Sequence, residues 1–224
     1  MKIKLERIGK SSDVWTKRGR MKILGAIIAG GQSRRMAGAN KLLLELNGEP
    51  LVERAAKRLG AQTDHLVVNV NNFEPIIDAL GYDIISDAHV DHQGPLAGVY
   101  SVLNWVKQND ALVDYIMTAP ADAPFFPTNL VETLKNAVGS HDIAIAHYNG
   151  YSQQLFGLWS VDCLKDLSVY LENPENRKVM TFIRSKKWVQ VDIKDQVIDP
   201  FMNINTPEDW DKAQQILASN GELE

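Results

Sequence analysis

An apolar run that stops at two glycines constrains this chain more than any other stretch. The segment from Ile23 to Ile28 is almost continuously aliphatic, which is typical of a strand covered on both faces of a parallel sheet. Gly30 and Gly31 then permit a tight turn whose backbone N–H groups can approach phosphate oxygens. Three basic side chains add positive charge beside that turn: Arg34, Arg35 and Lys41. The stretch therefore predicts a buried central strand that leads into a triphosphate-binding loop.

Length and composition favour a single domain. With 224 residues and an apolar fraction of 45%, the chain can form one large α/β domain or two small ones. No repeat, low-complexity tract or Pro/Ser-rich linker divides it, so we expect one domain over residues 21–224. No apolar run approaches the roughly 18 residues needed to span a bilayer. Cys163 is the only cysteine, which argues against disulfides and cysteine-cluster metal sites and favours a cytoplasmic protein.

Charge is unevenly distributed along the chain. Residues 1–20 carry seven Lys and Arg against two acids, a net of +5, so the remainder carries −9 when the whole chain carries −4. This stretch lacks the apolar centre of a secretory signal, and we expect a basic, flexible leader, with Met21 as a second candidate start. The acidic remainder argues against a general nucleic-acid binder, which needs a basic surface.

Polar side chains follow two of the predicted strands. Asn69 lies near the end of an apolar strand over residues 65–71, and Asp87 follows a strand over residues 83–86. Strands alternate with helices, one of them expected over residues 74–80, which predicts a three-layer α/β fold with a mainly parallel sheet. Ligands bind at the carboxyl ends of such strands. Both residues are therefore site candidates, although an ordinary strand-ending asparagine explains Asn69 equally well.

Asp122 lies between two prolines just after another apolar strand. Pro120 and Pro124 cannot donate ladder hydrogen bonds, so the strand must end and expose Asp122 in a rigid loop. A carboxylate beside a triphosphate is what Mg²⁺ requires, since this ion takes one or two protein ligands and completes its shell with phosphate and water. The alternative is an Asx-turn residue, which is common between prolines. The position at the sheet edge favours the metal-ligand role.

Two asparagines precede the last predicted helix. Asn203 and Asn205 come just before a helix that Thr206 caps and Pro207 opens, and both can hydrogen-bond a polar ligand. Earlier helices are predicted over residues 127–138, 161–171 and 174–184, the last with Arg177 and Lys178 in its first turn.

Two short motifs predict further local structure. Asn47 and Gly48 predict a turn, and Gly94 with Pro95 predicts the start of a helix.

The glycine loop does not match the common nucleotide-binding motifs. Lys41 follows Asn40 and not a glycine, so the P-loop pattern G-x-x-x-x-G-K-[ST] is absent. AGGQSRRM also lacks the spacing of the dinucleotide fingerprint, and no G-x-S-x-G elbow occurs in the chain. These mismatches argue against P-loop enzymes, nicotinamide-dependent dehydrogenases and α/β-hydrolases.

Five segments together resemble the molybdenum cofactor guanylyltransferase family, which belongs to the molybdopterin nucleotidyltransferases. They read AGGQSRRMAGANK, LLLELNGEPLVER, GPLAG, APADAPF and NINTPEDW, and the resemblance as a whole extends over most of Met21 to Leu217. The glycine loop is shared with sugar-nucleotide and cytidylyl relatives, so it implies a Rossmann-like nucleotidyltransferase fold and reaction type. GPLAG and NINTPEDW narrow the resemblance toward molybdopterin enzymes.

The resemblance implies a role for each matching position. The residues expected to contact the nucleotide are Ile28, Ala29, Gly30, Gly31, Lys41, Asn69, Asp87 and Asp122. The expected catalytic residues are Lys41, Arg35 and Asp122, and Asp122 is also the expected Mg²⁺ ligand. Asn203 and Asn205 are expected on the pterin side. The family usually has an aspartate before the loop lysine, whereas this chain has Asn40.

These roles imply one reaction, in which the terminal phosphate of molybdopterin attacks the α-phosphorus of GTP and pyrophosphate leaves. Two alternatives stay open from the sequence. One is a cytidylyl or sugar-nucleotide transferase on the same fold, and the other is a non-catalytic nucleotide or cofactor carrier, which Asn40 would explain. GTP and molybdopterin are the expected substrates. Transient contact with other proteins of molybdenum cofactor biosynthesis is consistent with delivery of a labile cofactor.

Overall fold

The computed structural model describes most of the chain after the basic leader. The described residues are 21–29, 35–36, 39–40, 43–70, 81–87, 94–109, 111–173, 175–176, 178–194 and 196–220, with the backbone alone at 35–36, 39–40 and 220. The predicted leader and the predicted helix over 74–80 lie outside these residues. So do Gly30, Gly31, Lys41 and Arg177.

Strands and helices alternate through the described part of the chain and are numbered here in chain order. The strands are β1 (Ile23–Ile28), β2 (Arg35–Met36), β3 (Ala39–Asn40), β4 (Glu45–Leu46), β5 (Glu49–Pro50), β6 (His65–Asn69), β7 (Asp83–Ile85), β8 (Tyr115–Pro120), β9 (Ile143–Tyr148), β10 (Tyr151–Ser160) and β11 (Trp188–Asp192). The helices are α1 (Leu51–Gly60), α2 (Pro95–Gln108), α3 (Leu130–Val138), α4 (Cys163–Leu171), α5 (Val179–Arg184) and α6 (Pro207–Asn220).

The main sheet is mixed but mostly parallel. Its seven described strands follow the order β11-β9-β10-β8-β1-β6-β7. Strand β10 runs antiparallel to both of its neighbours, and every other pairing is parallel. The predicted α/β fold with a mainly parallel sheet is therefore confirmed.

Strand β1 lies inside this sheet and is buried on both faces. Ile23 and Ile27 pack on one side with the apolar faces of α1 and α3. Leu24, Ala26 and Ile28 pack on the other side with α2, α4 and α5. Successive strand residues point to opposite faces, so a strand that is aliphatic at nearly every position needs cover on both sides. This requirement produces the three layers.

Local turn and cap signals in the sequence are confirmed. Asn47 and Gly48 join β4 to β5 with positive φ angles of 58° and 76°, as a two-residue hairpin with a type I′ turn requires. Gly94 adopts a φ of 146° and precedes Pro95 at the start of α2. Only glycine takes that angle readily.

Three predicted helices begin later than the sequence suggested. Helix α3 starts at Leu130 instead of residue 127, and helix α4 starts at Cys163 instead of residue 161. Helix α5 starts at Val179 instead of residue 174, because Lys178 is extended at φ −82° and ψ 109° and the Asn173 side chain accepts a hydrogen bond from the Glu175 N–H at 2.9 Å. That local bond replaces helical pairing. Lys178 therefore flanks the helix and is not in its first turn.

Gly25 allows α1 to approach the centre of β1. A Cβ at this position would lie 2.7 Å from both Leu66 Cδ1 and Thr63 Oγ1. The Thr63 hydroxyl already donates to the Leu59 carbonyl at 3.1 Å, so it cannot move aside without losing that bond. By contrast, a Cβ at Gly60, which also faces Leu66, would lie 3.6 Å away in ordinary contact.

We expect Gly25→Ala to lower the free energy of unfolding by about 1–3 kcal/mol, because it overpacks the contact between strand and helix. Gly60→Ala is the matched control and should leave stability unchanged or raise it by roughly 0.5 kcal/mol through helix propensity. Urea unfolding of both variants measures the difference. Equal effects at the two positions would contradict this account of the packing.

Candidate functional site

Three adjacent strands end together at the carboxyl edge of the sheet. The register pairs Ile28 of β1 with Asn69 of β6 on one side and with Pro120 of β8 on the other. Just beyond the strands, the Ala29 N–H donates to the Asn69 carbonyl at 2.9 Å and the Ala121 N–H donates to the Ile28 carbonyl at 3.2 Å. The segment that enters the glycine loop is thus fixed between β6 and β8.

Asn69 and Asp87 are in direct contact at this edge. The Asn69 side chain is fully buried, and its amide nitrogen donates to the Ile85 carbonyl at 3.1 Å and to Asp87 Oδ1 at 2.8 Å. Asp87 is half-buried. The structure therefore brings together two of the predicted nucleotide-site residues, with Asp87 nearer to solvent.

Asp122 lies in the loop that follows β8. Its neighbours Ala121 and Ala123 are buried, whereas Asp122 itself is partly exposed. The Asp122 carbonyl accepts a hydrogen bond from the Ile204 N–H at 2.8 Å. This bond holds residues 203–205, the late asparagine segment, beside the loop that carries the Asp122 carboxylate.

Buried and exposed side chains alternate in the late asparagine segment, as they do around Asp122. Ile204 is fully buried, while Asn203 and Asn205 on either side of it are exposed. Ile204 packs with Phe125 and with α6, which anchors the segment to the protein. The two predicted pterin-side residues therefore lie on the outer side of a strand-like segment bonded to Asp122.

The cap of α6 controls the backbone around Asn205. Thr206 Oγ1 accepts from the Asp209 N–H at 3.1 Å, which confirms the predicted cap. In return, Asp209 Oδ2 accepts from the N–H groups of Asn205 and Thr206, both at 2.9 Å. This reciprocal arrangement has the form of a capping box. These hydrogen bonds lower the pKa of Asp209. The bond from the Asn205 N–H has the largest effect, and the bonds from Thr206 add to it.

Helix α1 and the turn that follows it contribute two site-supporting residues that sequence reasoning missed. Arg58 donates from Nε to the Phe126 carbonyl, and its guanidinium lies 5.9 Å from the centre of the Phe126 ring. Gln62 donates to the Pro127 carbonyl at 3.1 Å and accepts from the Val131 N–H at 3.1 Å. Burial, with a smaller contribution from the charge of Arg54, lowers the pKa of Arg58. These bonds fix the far end of the Asp122 loop.

The glycine loop is described only through a short backbone hairpin. Strands β2 and β3 pair antiparallel, with Arg35 opposite Asn40 and Met36 opposite Ala39. The sequence did not predict this hairpin. It brings the backbone of Asn40, where the family usually has aspartate, next to the backbone of Arg35.

The donor set at the edge is compatible with magnesium. In the described ranges, no three His, Cys, Asp or Glu side chains gather into a metal-binding group. Mg²⁺ does not need such a group when a triphosphate supplies oxygen ligands, because one or two protein carboxylates are enough. Asp122, in the loop at the carboxyl edge of the sheet, fits that requirement. In the same part of the chain, no helix is long and apolar enough to cross a membrane.

Comparisons with known proteins agree with this arrangement. Residues 25–190 match the family model described as the MobA-like NTP transferase domain. The fold also matches the crystal structure of molybdopterin-guanine dinucleotide biosynthesis protein A from Archaeoglobus fulgidus, with a TM-score of 0.71, 22% identity and coverage of 88% of this chain and 99% of that one. The fold and the family model define a nucleotidyltransferase.

Relatives of higher identity specify the family. A molybdenum cofactor guanylyltransferase of Mesorhizobium japonicum is 34% identical over 89% of this chain and 98% of its own length. Another, from Cereibacter sphaeroides, is 37% identical over 88% of this chain and 98% of its own length. The chain belongs to the molybdenum cofactor guanylyltransferase family. The predicted family and enzyme class are thereby confirmed.

The α6 cap should make part of the stability depend on pH. The folded-state pKa of Asp209 lies below its ordinary value of 3.8, so the cap stabilises fully above that value and is lost as the pH falls through the folded-state pKa. We expect Asp209→Asn to lower the free energy of unfolding at pH 7 by about 1 kcal/mol, as loss of a helix cap does. The difference from the unmodified protein should shrink below pH 3.8.

Urea unfolding between pH 7 and pH 3 measures this dependence. Asp211→Asn is the control, because it removes the same charge from the next turn of the same helix and should change stability by less than about 0.5 kcal/mol. A pH-independent deficit in Asp209→Asn would contradict the role of its carboxylate.

Proposed function

We propose that this chain transfers GMP from GTP to the terminal phosphate of molybdopterin and releases pyrophosphate, which forms the guanine dinucleotide cofactor. One observation carries the proposal beyond family membership. The hydrogen bond of 2.8 Å from the Ile204 N–H to the Asp122 carbonyl joins the late asparagine segment to the carboxylate loop. This bond supports the proposal because it holds the residues proposed for the pterin beside the loop proposed to bind the triphosphate with its metal ion.

The reaction is a displacement at phosphorus. A terminal phosphate oxygen of molybdopterin bonds to the α-phosphorus of GTP, and the bond from that phosphorus to the bridging oxygen of the β-phosphate breaks. The electron pair leaves with pyrophosphate. A phosphate monoester has a second pKa of about 6, so the nucleophile is largely ionised at neutral pH and needs no strong general base. The protein then contributes mainly positioning and charge neutralisation.

Asp122 is the residue that would hold Mg²⁺. Its carboxylate is of the donor type that this ion prefers, and its backbone is fixed by the bond from Ile204 on one side and by the Arg58 and Gln62 contacts further along the loop. When bound, the ion supplies positive charge to the triphosphate oxygens. Lys41 and Arg35 of the glycine loop are the proposed side chains that stabilise the charge on the departing pyrophosphate.

The nucleotide is proposed to bind where β1, β6 and β7 end. The backbone at Ile28 and Ala29 leads into the proposed phosphate turn of Gly30 and Gly31. Asp87 accepts hydrogen bonds from the nucleoside, with Asn69 directly behind it. In the segment that is bonded to Asp122 through Ile204, the amide groups of the exposed side chains of Asn203 and Asn205 are proposed to provide donors and acceptors for the pterin.

Substitution of the two central charged residues tests the mechanism. We expect Asp122→Ala and Lys41→Ala each to lower kcat for GTP and molybdopterin by about 100-fold or more, since each removes a group that stabilises transition-state charge. Asp211→Ala and Lys165→Ala, at exposed positions on α6 and α4, are charge-matched controls and should retain activity. Turnover near normal in both site variants would refute the assignment.

Nucleotide preference separates this function from the cytidylyl alternative. With molybdopterin as acceptor, we expect pyrophosphate release from GTP to exceed release from CTP or ATP by about 100-fold or more in kcat/KM, because a hydrogen-bonding site rejects a base that leaves its groups unpaired. A preference for CTP would instead support cytidylyl transfer on the same fold.

A further inference from the structure

Both donor hydrogens of the Asn69 side chain are engaged in hydrogen bonds within the protein. It is fully buried, and its amide nitrogen, which carries two hydrogens, makes the two bonds to the Ile85 carbonyl and Asp87 Oδ1. No donor hydrogen of this group is left for a nucleotide. Any influence of Asn69 on the substrate must therefore pass through the groups that it contacts or through its oxygen.

The oxygen of the same amide faces protein as well. Asn69 Oδ1 is buried and accepts no hydrogen bond from any described residue. It points at Gly98 in the first turn of α2, where a Cβ would lie 2.5 Å from Oδ1 and 3.1 Å from Ile28 Cγ2. The absence of a side chain at Gly98 thus makes the space in which the amide lies.

The two bonds also define which way the amide is oriented. In the opposite orientation, Oδ1 would face the carbonyl of Ile85 and the carboxylate of Asp87, which are both acceptors, and the repulsion would be large. The contacts on both sides therefore allow one rotamer and one orientation. The Asn69 amide nitrogen therefore donates from a fixed position to one oxygen of Asp87.

We propose that Asn69 is a positioning residue that acts through Asp87, and that Gly98 is required because it provides the space for the Asn69 carboxamide. The buried amide holds Asp87 Oδ1 and so orients the carboxylate toward the nucleoside before GTP binds. This inference rests on the proposed nucleotide role of Asp87. It replaces direct contact between Asn69 and the nucleotide with a relay of two side chains.

A double-mutant cycle tests the relay. We expect Asn69→Ala and Asp87→Ala each to raise the Kd and KM for GTP by about tenfold, the usual effect of losing a hydrogen bond to a charged group, with little change in kcat. The double variant should be no weaker than Asp87→Ala alone. If the two effects multiply, Asn69 contacts the nucleotide independently, and the relay is wrong. Unchanged GTP affinity in either single variant would also overturn it.

Gly98→Ala tests the same relay without removing the amide. It should weaken GTP binding by about tenfold when Asn69 is present, because the new methyl group displaces the donor from Asp87. The Asn69→Ala background removes the 2.5 Å conflict with Oδ1 and leaves only the 3.1 Å contact with Ile28 Cγ2, so Gly98→Ala should there change binding by less than about twofold. Gly60→Ala is the matched control for a glycine-to-alanine change in a helix. An equal loss in both backgrounds would contradict the relay.

The choice of measurement separates this inference from the proposed reaction. Isothermal titration with GTP alone reports binding at the nucleotide edge and needs no acceptor, and thermal unfolding verifies that each variant is folded. If the unmodified protein releases no pyrophosphate from GTP with molybdopterin, the proposed function fails while the binding cycle still tests the relay. If the protein is active but the cycle is multiplicative, only the relay fails.

Discussion

The parallel pairing of β1 with both β6 and β8 is the constraint on which the site depends. Parallel strands leave the sheet at the same edge, so the register that sets Ile28 opposite Asn69 and Pro120 also collects the segments that follow. A slip of one residue would send every side chain to the other face. Because β1 is apolar on both faces, its polarity does not oppose a slip, but its shape does: a Cβ at Gly25 would lie 2.7 Å from Leu66 Cδ1 and Thr63 Oγ1, and a slip would bring a larger side chain into that space. Close packing in the core therefore also fixes the position of the site.

The Asp122 loop gains rigidity from elements that are distant in the chain. One end is bonded to the segment before α6 through Ile204. The other end is bonded to Arg58 of α1 and to Gln62 in the turn after this helix. Backbone carbonyls that point into a loop need donors, and these three residues supply them. The Asp122 carboxylate, which we propose to be catalytic, can therefore be held on its loop nearly as firmly as a carboxylate on a strand.

Most of the correct predictions depend on sequence patterns that extend over no more than about ten residues. The strand before the glycine loop, the Asn47–Gly48 turn and the Thr206 cap each depend on neighbours in the sequence. The Arg58 contact joins residues 68 positions apart, and no local pattern marks it. The late start of α5 depends on a side-chain bond from Asn173 that competes with a reasonable helix pattern. For Asn69, the sequence indicated the right place, but its burial depends on Gly98 in a different element.

Asparagine at position 69 meets requirements that related side chains do not. Aspartate would place a second carboxylate against Asp87, and leucine would remove the donor to Asp87 Oδ1 and leave the Ile85 carbonyl with only the Val70 N–H, which donates to it at 2.9 Å. The amide donates to both acceptors, but its buried oxygen accepts no hydrogen bond from the described residues, an arrangement that costs about 1–3 kcal/mol. That oxygen lies at the first turn of α2, where the positive end of the helix dipole offsets part of the cost. The remaining loss of stability is therefore located at the proposed nucleotide site, where the buried amide fixes the orientation of the Asp87 carboxylate.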